Sequence, residues 1–171
     1  LWLEQAKTGY AWIASALKAN RDAEAVLQQQ TQFQLLCALR EGPQGVVGIN
    51  AMLEKNLGHK SDSWYAGRPV MVTQNDHARK LYNGDVGLVW PVQQDGHTVL
   101  KACFLVEGIV KAISQAQMPA YETCYAITVH KSQGSEYDHV MIVLPADQQA
   151  TISNPVLTRE LVYTAVTRAK D

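Results

Sequence analysis

Residues 33–39, with the sequence Phe-Gln-Leu-Leu-Cys-Ala-Leu, form a short and almost continuous apolar run. Such a run is typical of a strand that is covered on both faces in a parallel sheet. Gly42 and Pro43 follow it and suit a turn and the first position of a helix. The apolar stripe of that helix comprises Val46, Ile49, Leu53 and Leu57. Strand, turn and helix make half of a βαβ unit, so this segment predicts an α/β fold built on a parallel sheet.

The last third of the chain repeats this α/β pattern. Residues 124–129 and 139–144 predict two further buried strands. Thr158 is placed to cap a final helix that runs from Arg159 to the end of the chain. That helix has an apolar face of Leu161, Val162, Ala165, Val166 and Ala169, and a polar face of Glu160, Thr164, Thr167 and Arg168.

The middle of the chain, from about residue 64 to residue 118, follows a different pattern. Three β-rich runs follow one another at residues 69–73, 86–90 and 98–104. Turn sequences such as Asn83-Gly84-Asp85 separate them, and together they predict a small antiparallel β-barrel inserted into the α/β domain. The predicted organisation is a first part of the parallel-sheet domain over residues 1–62, the barrel over 63–118, and the rest of the parallel-sheet domain over 119–171.

The composition limits the classes of function. The chain has 171 residues, of which 47% are hydrophobic and 18% charged, so it can bury a core and is neither disordered nor membrane-spanning. Its formal net charge of −1 does not by itself indicate a nucleic-acid partner, so any such site must be local. Its three cysteines lack metal-ligand spacing and the chain shows no signal peptide, which fits a reducing cytoplasm.

The stretch from Ala126 to Asp138 places a dense set of polar side chains directly after a predicted parallel strand. Open α/β sheets bind their ligands at the carboxyl ends of such strands. Gly134 allows a ligand to approach the backbone closely, and Glu136 is suited to accept a hydrogen bond from a ribose hydroxyl. The alternative is a solvated loop whose polar residues only satisfy the geometry of the turn.

Arg168 lies on the polar face of the last helix, beside Thr164 and Thr167. Its planar guanidinium can bind a phosphate through two parallel hydrogen bonds. The alternative is a surface arginine that the helix dipole favours near a C-terminal end. Arg168 alone does not decide between these two hypotheses.

Residues 128–140 read Thr-Val-His-Lys-Ser-Gln-Gly-Ser-Glu-Tyr-Asp-His-Val, and residues 160–170 read Glu-Leu-Val-Tyr-Thr-Ala-Val-Thr-Arg-Ala-Lys. These two segments resemble motifs five and six of superfamily-one helicases, and within that superfamily they are most similar to the RecD-like helicases. Residues 36–50 resemble the motif-four region, and residues 67–75 with 83–87 resemble the family's inserted barrel. The resemblance implies a RecA-like parallel sheet flanked by helices, which is the second motor domain of the family.

In that family two RecA-like domains clamp ATP between them, and single-stranded DNA runs across their top. The resemblance implies that Arg168 reaches across the cleft to the γ-phosphate and that Glu136 contacts the ribose. The further ATP-binding residues that it implies are Gln133, Gly134 and, after the motif-four strand, Arg40. The implied DNA-binding residues are Thr128, His130 and Lys131, together with Asn75 and Asn83 in the turns of the barrel. For the two asparagines, ordinary hairpin chemistry is the alternative.

The chain departs from the family pattern because it contains no G-x-x-x-x-G-K-[ST] sequence. The P-loop lysine and the Ser/Thr ligand of Mg²⁺ are therefore missing. The chain also begins without Met and stops at Asp171, directly after motif six. We expect it to be one motor domain of a longer protein, with ATP and Mg²⁺ bound mainly by another domain, and to be inactive alone as an ATPase.

The resemblance implies a 5′-to-3′ DNA helicase or translocase, driven by ATP, that acts in DNA end processing and recombinational repair. The implied partners are single-stranded and double-stranded DNA ends and subunits of the RecB and RecC type. A second hypothesis is a non-catalytic adaptor whose barrel recognises nucleic acid or a protein. Because no segment of the chain is strongly basic, we expect at most weak DNA binding by the chain alone.

Overall fold

The computed structural model describes residues 2–61, 63–145 and 158–170. The chain divides into two compact units. The parallel-sheet unit comprises Leu1–Gly9, Thr31–Gly58 and Tyr125–Asp171. The antiparallel-sheet unit comprises Tyr10–Gln30 and His59–Cys124. The two units are defined by which parts of the chain pack together. They do not test the domain boundaries predicted at residues 62 and 118, which stay a prediction.

Within the described residues the helices are α1 (Trp2–Lys18), α2 (Ala23–Leu27), α3 (Val46–Asn56) and α4 (Arg159–Val166). The strands are β1 (Phe33–Cys37), β2 (Pro69–Val72), β3 (Val86–Gln94), β4 (His97–Val106), β5 (Ile109–Ile113), β6 (Tyr121–Thr123), β7 (Ala126–Thr128) and β8 (His139–Val143). No helix in the described part of the chain is long and apolar enough to cross a membrane.

The parallel-sheet unit is built on β1, β7 and β8, which pair in parallel in the order β7-β1-β8. Leu35 of β1 stands opposite both Ala126 of β7 and Met141 of β8. Because β1 is the central strand, Leu35 and Leu36 are completely buried, which explains the apolar run in the sequence. α3 lies against β7 and buries Val46, Ile49 and Leu53. The prediction of a parallel sheet flanked by helices is confirmed.

The antiparallel-sheet unit is built on five strands in the order β5-β4-β3-β2-β6. The long hairpin of β3 and β4 turns at Asp95 and Gly96, whose φ angles of +50° and +77° match a two-residue turn with both φ angles positive. The buried core of this sheet consists of Val70, Val72, Leu81, Val89, Ala102, Phe104 and Ile113. The predicted strands near residues 69, 86 and 98 are therefore present, and two of them are longer than expected.

The prediction that this sheet closes into a β-barrel is wrong. Closure requires hydrogen bonds between the two edge strands, and within the described residues β5 and β6 lie at opposite edges and do not pair. Both are short, at five and three residues, and the prediction did not include either of them. The antiparallel sheet is therefore open.

Two helix predictions need correction and one is confirmed. The sequence of residues 130–137 also predicts a turn that runs into a short helix, but the structure has only a 3₁₀ turn there, over His130–Ser132. The last helix ends at Val166 rather than at the end of the chain, because residues 167–170 turn to pair with the loop before β8. Thr158 caps this helix as predicted, since its hydroxyl oxygen accepts a hydrogen bond from the N–H of Leu161 (3.1 Å).

The buried cysteines give a direct test of this packing. Burial raises the pKa of the Cys37 thiol to about 12 and that of the Cys103 thiol to about 11, and it also raises the pKa of Cys124. A thiol in the unfolded chain titrates near about pH 8.5. Because the folded pKa values are higher, the stability that these thiols contribute is complete below about pH 8.5 and is lost as the pH rises towards the folded values.

We expect all three thiols to react slowly with a disulfide reagent in the folded chain at about pH 8, and quickly after denaturation. Stopped-flow labelling with and without denaturant measures the difference. Rapid labelling of any one of the three in the folded chain would contradict the packing described above.

Candidate functional site

The segment that follows β7 turns back tightly on itself. The hydroxyl oxygen of Thr128 accepts a hydrogen bond from the backbone N–H of Lys131 (3.2 Å). The hydroxyl of Ser132 donates to the carbonyl of Val129 (2.6 Å). These bonds hold the 3₁₀ turn that begins at His130, so the turn brings together the three residues of this unit that were predicted to bind DNA.

Residues 133–136 follow the turn and are all exposed. Gly134 has a φ of +84°, a backbone conformation that favours glycine, and a Cβ atom at this position would meet no atom within 4 Å. The N–H of Ser135 donates to the carbonyl of Ser132 (3.0 Å). Gly134 is therefore required by the shape of the backbone, and the surface above it is open.

The residues after α4 are bound to the same loop. The N–H of Tyr137 donates to the carbonyl of Arg168 (2.8 Å). The guanidinium of Arg168 donates through Nη1 to the carbonyl of Ser135 (3.4 Å) and through Nε to the carbonyl of Thr164 (3.2 Å). The structure thus holds Arg168 against the loop of residues 133–136, which contains the other ATP-binding candidates of this segment.

A cleft of about 430 Å³ lies between the turn after β7 and the first half of α4. Its lining consists of Val129, His130, Gln133, Thr158, Glu160, Leu161 and Thr164. The sequence singled out His130 and Gln133 as ligand-binding candidates but treated Glu160 and Thr164 only as members of a polar helix face. That polar face was the signal that could have identified them, because it lines the cleft opposite the polar residues His130 and Gln133.

The electrostatics of the cleft depend on Glu160, which lies in the first turn of α4. Its pKa is held below the usual range by a hydrogen bond from its own backbone N–H and by a second one from the Thr158 hydroxyl. A carboxylate at the N-terminal end of a helix also interacts favourably with the helix dipole. The cleft therefore keeps a negative charge at neutral pH.

Arg40 lies in the loop between β1 and α3, and its side chain is 52% exposed. Its Nε atom is 3.8 Å from Oε1 of Glu41, and its carbonyl accepts a hydrogen bond from the N–H of Val47 (3.1 Å). Because β1 and β7 are parallel, the loops that follow them open at the same edge of the sheet. Arg40 therefore shares that edge with the candidates that follow β7.

Asn75 and Asn83 belong to the antiparallel-sheet unit. The side-chain oxygen of Asn75 accepts a hydrogen bond from the N–H of Asn83 (2.8 Å), and Oδ2 of Asp85 accepts one from the N–H of Tyr82 (2.8 Å). The structure brings the two asparagines to each other, in turns that the side chains of Asn75 and Asp85 stabilise. The hairpin-chemistry alternative explains these contacts without a ligand.

Comparison with known proteins gives three similarities. A family model described as UvrD-like helicase C-terminal domain matches residues 123–171. The chain is 40% identical over 162 residues to the RecBCD enzyme subunit RecD of Mycolicibacterium smegmatis. The match covers 92% of this chain and 26% of that protein. It is 33% identical over 145 residues to the ATP-dependent RecD2 DNA helicase of Deinococcus radiodurans. That match covers 81% of this chain and 19% of the relative. The chain thus spans about a quarter or less of the length of these curated relatives.

The fold is also similar to a solved structure, the crystal structure of Pif1 helicase from Bacteroides in complex with ADP-AlF3 and ssDNA. The TM-score is 0.50 at 16% identity, and the match covers 95% of this chain and 47% of that one. At this identity the similarity shows a helicase-like fold and nothing about the site.

The cap of α4 can be tested through Glu160. We expect Thr158→Ala to cost about 1 kcal/mol of stability, the usual value for losing a helix cap. The same substitution removes a hydrogen bond from the Glu160 carboxylate, so the pKa of Glu160 should rise towards its usual value.

Denaturant unfolding and an NMR titration of Glu160 measure the two effects. Thr167→Ala is the matched control, because the Thr167 hydroxyl donates to the carbonyl of Thr164 and does not contact Glu160. A Glu160 pKa that does not change in Thr158→Ala would show that the cleft electrostatics have been assigned to the wrong contact.

Proposed function

From the premise that this chain is RecD-like over most of its length, we propose that it forms the second motor domain of an ATP-dependent 5′-to-3′ DNA helicase. The observation that carries the proposal is the hydrogen bond from Arg168 to the carbonyl of Ser135, the residue between Gly134 and Glu136. It brings a cation and a carboxylate, which come from distant parts of the sequence, to one exposed loop of a parallel sheet. This is the arrangement that a nucleotide held between two domains requires.

Arg168 is the catalytic residue in this proposal. Its guanidinium stabilises the charge that develops on the γ-phosphate during phosphoryl transfer. Its hydrogen bonds to Ser135 and to Thr167 Oγ1 are long, at 3.4 and 3.5 Å, and both acceptors are uncharged. A phosphate oxygen binds a guanidinium about twice as strongly as a neutral acceptor does, so Arg168 exchanges these partners for the phosphate when ATP is bound.

The other ATP-binding residues of the proposal orient the nucleotide. Glu136 accepts a hydrogen bond from the ribose, Gln133 and Gly134 lie beside the phosphates, and Arg40 adds a second positive charge. The P-loop and the Mg²⁺ ligand are assigned to a different domain, since this sequence has no G-x-x-x-x-G-K-[ST] segment. The chain alone is therefore proposed to be inactive as an ATPase.

On the DNA side, Thr128, His130 and Lys131 contact the backbone of a single strand. The Thr128 oxygen already accepts the N–H of Lys131, so its hydroxyl proton is the group that can be donated to a phosphate oxygen. The carboxylate of Glu160 in the neighbouring cleft repels phosphate. The cleft is therefore assigned to a sugar or base of the strand and the turn after β7 to its phosphates.

The names of the relatives support the wider setting of this proposal. One is named a RecBCD enzyme subunit, which supports RecB- and RecC-type subunits as partners. The proposal adds DNA ends as partners and a role in DNA end processing and recombinational repair in the cytoplasm. Another is named an ATP-dependent DNA helicase. The alternative of a non-catalytic adaptor predicts no dependence of ATP hydrolysis on Arg168.

The proposal is tested first with the complete gene product. We expect Arg168→Ala to lower the kcat of DNA-stimulated ATP hydrolysis by roughly 10³-fold, the range found for arginine fingers. Glu136→Ala should raise the KM for ATP by about tenfold, because it removes a hydrogen bond to the ribose. Steady-state ATPase assays with a single-stranded oligonucleotide measure both effects.

Arg159→Ala is the matched control, since Arg159 is an exposed arginine at the start of the same helix. The isolated chain should show no turnover. Normal activity of both Arg168→Ala and Glu136→Ala, or turnover by the isolated chain that does not depend on Arg168, would refute the proposed site.

A second test concerns the shape of the loop. Gly134 and Gly58 have the same φ of +84°, and a Cβ atom at either position would meet no atom within 4 Å. Gly134→Ala and Gly58→Ala should therefore each cost about 1 kcal/mol of stability from backbone strain alone. Only Gly134→Ala should raise the KM for ATP. Equal ATPase kinetics in the two variants would show that the loop of residues 133–136 does not take part in nucleotide binding.

A further inference from the structure

Asn50 of α3 makes a two-way contact with the backbone of β7. Its side-chain Nδ2 donates to the carbonyl of Ala126 (3.0 Å), and its Oδ1 accepts a hydrogen bond from the N–H of the same residue (2.8 Å). Asn50 is 6% exposed and Ala126 is completely buried. An amide side chain thus binds one residue of a strand in the way a neighbouring strand would.

This contact falls on the side of β7 that faces away from β1. Along a strand, successive backbone N–H and C=O groups point to alternate sides. Val129 donates its N–H to Cys37 of β1, so Ala126, an odd number of residues away, points to the other side. No strand of the described residues pairs with that side of β7, and Asn50 satisfies the backbone groups that would otherwise be buried without partners.

A second buried amide holds the start of the same strand from the other side. Nε2 of Gln34, in β1, donates to the carbonyl of Tyr125 (2.9 Å), and Gln34 is 6% exposed. Two side chains, one on each side, therefore fix the residues with which β7 begins. The segment of His130 and Lys131 continues from this anchored start.

The helix that contains Asn50 is also bonded to the loop that contains Arg40. The carbonyl of Leu39 accepts the N–H of Val46, and the carbonyl of Arg40 accepts the N–H of Val47, so the loop that carries Arg40 is bonded to the first turn of α3. Asn50 lies one helical turn further along the same helix.

We propose that Asn50 is a positioning residue that couples the Arg40 loop to the DNA-binding turn after β7. Ala126 lies two residues before Thr128, a distance of about 7 Å along a strand. A displacement of α3 carries Ala126 with it, because breaking either hydrogen bond leaves a buried polar group without a partner. The inference rests on the proposed function, since it assigns a link between its two binding sites.

A purely structural role makes a different prediction from this coupling. If Asn50 only stabilises the fold, its substitution lowers the fraction of active protein and hence kcat, without changing the DNA concentration that gives half-maximal stimulation of the ATPase. If Asn50 couples the two segments, that DNA concentration rises and the KM for ATP at saturating DNA rises with it, because coupling between two binding sites is reciprocal. The two kinetic constants therefore separate the roles.

The experiment uses the complete gene product, ATP and a single-stranded oligothymidylate. Asn50→Asp keeps the acceptor for the Ala126 N–H but replaces the donor to its carbonyl with a second acceptor. We expect the half-stimulating DNA concentration to rise roughly tenfold, the usual effect of one lost buried hydrogen bond. Asn56→Asp is the matched control on the same helix, because Asn56 is exposed and donates to the carbonyl of Met52 (2.8 Å), within the helix itself.

Asn50→Gln keeps both a donor and an acceptor on a longer side chain and should shift the same constant by a smaller factor. If Asn50→Asp does not fold, the DNA concentration that half-stimulates Asn50→Gln tests the coupling instead. An unchanged half-stimulating DNA concentration in the folded Asn50 variants would overturn the coupling, even where Arg168→Ala confirms the proposed function. Failure of the proposed function itself would appear separately, as absence of DNA-stimulated ATPase in the wild type.

Discussion

The parallel pairing of β7 and β8 with the two sides of β1 is the constraint on which the rest of the parallel-sheet unit depends. It forces the chain after β1 and the chain after β7 to emerge at one edge of the sheet. It also fixes where β8 begins, and the loop before β8 binds the residues that follow α4. Arg168 reaches Ser135 only because of these steps.

The residues after α4 are held by more than one contact. Tyr137 exchanges backbone hydrogen bonds with Arg168 and Lys170, and Nζ of Lys170 lies 3.0 Å from Oδ1 of Asp138. The ion pair is exposed and contributes little to stability, so the backbone bonds set the position of Arg168. Gln133 stands between the two candidate regions, since it lines the cleft beside α4 and precedes Gly134. One short loop thus connects the proposed nucleotide side with the proposed DNA side.

Much of the parallel-sheet unit could be predicted from the sequence, because full burial leaves a simple signal. The apolar run at residues 33–39 marks a central strand, and Thr158 marks a helix start. Whether the antiparallel sheet closes into a barrel could not be predicted from the sequence. Closure depends on hydrogen bonds between short edge strands, and these strands carry no clear sequence pattern. Asn50 was missed for a related reason: one amide among apolar helix residues has no spacing signature, and its importance appears only when Ala126 lies beside it.

We propose that Arg168 leaves the carbonyl of Ser135 to bind the γ-phosphate. The most direct measurement is a structure of the complete gene product with single-stranded DNA and a transition-state analogue of ATP hydrolysis. We expect the Arg168 guanidinium to lie about 3 Å from the γ-phosphate mimic, with the hydrogen bond to Ser135 lost. A structure in which Arg168 stays on the Ser135 carbonyl, while another residue binds the γ-phosphate mimic, would contradict this proposal.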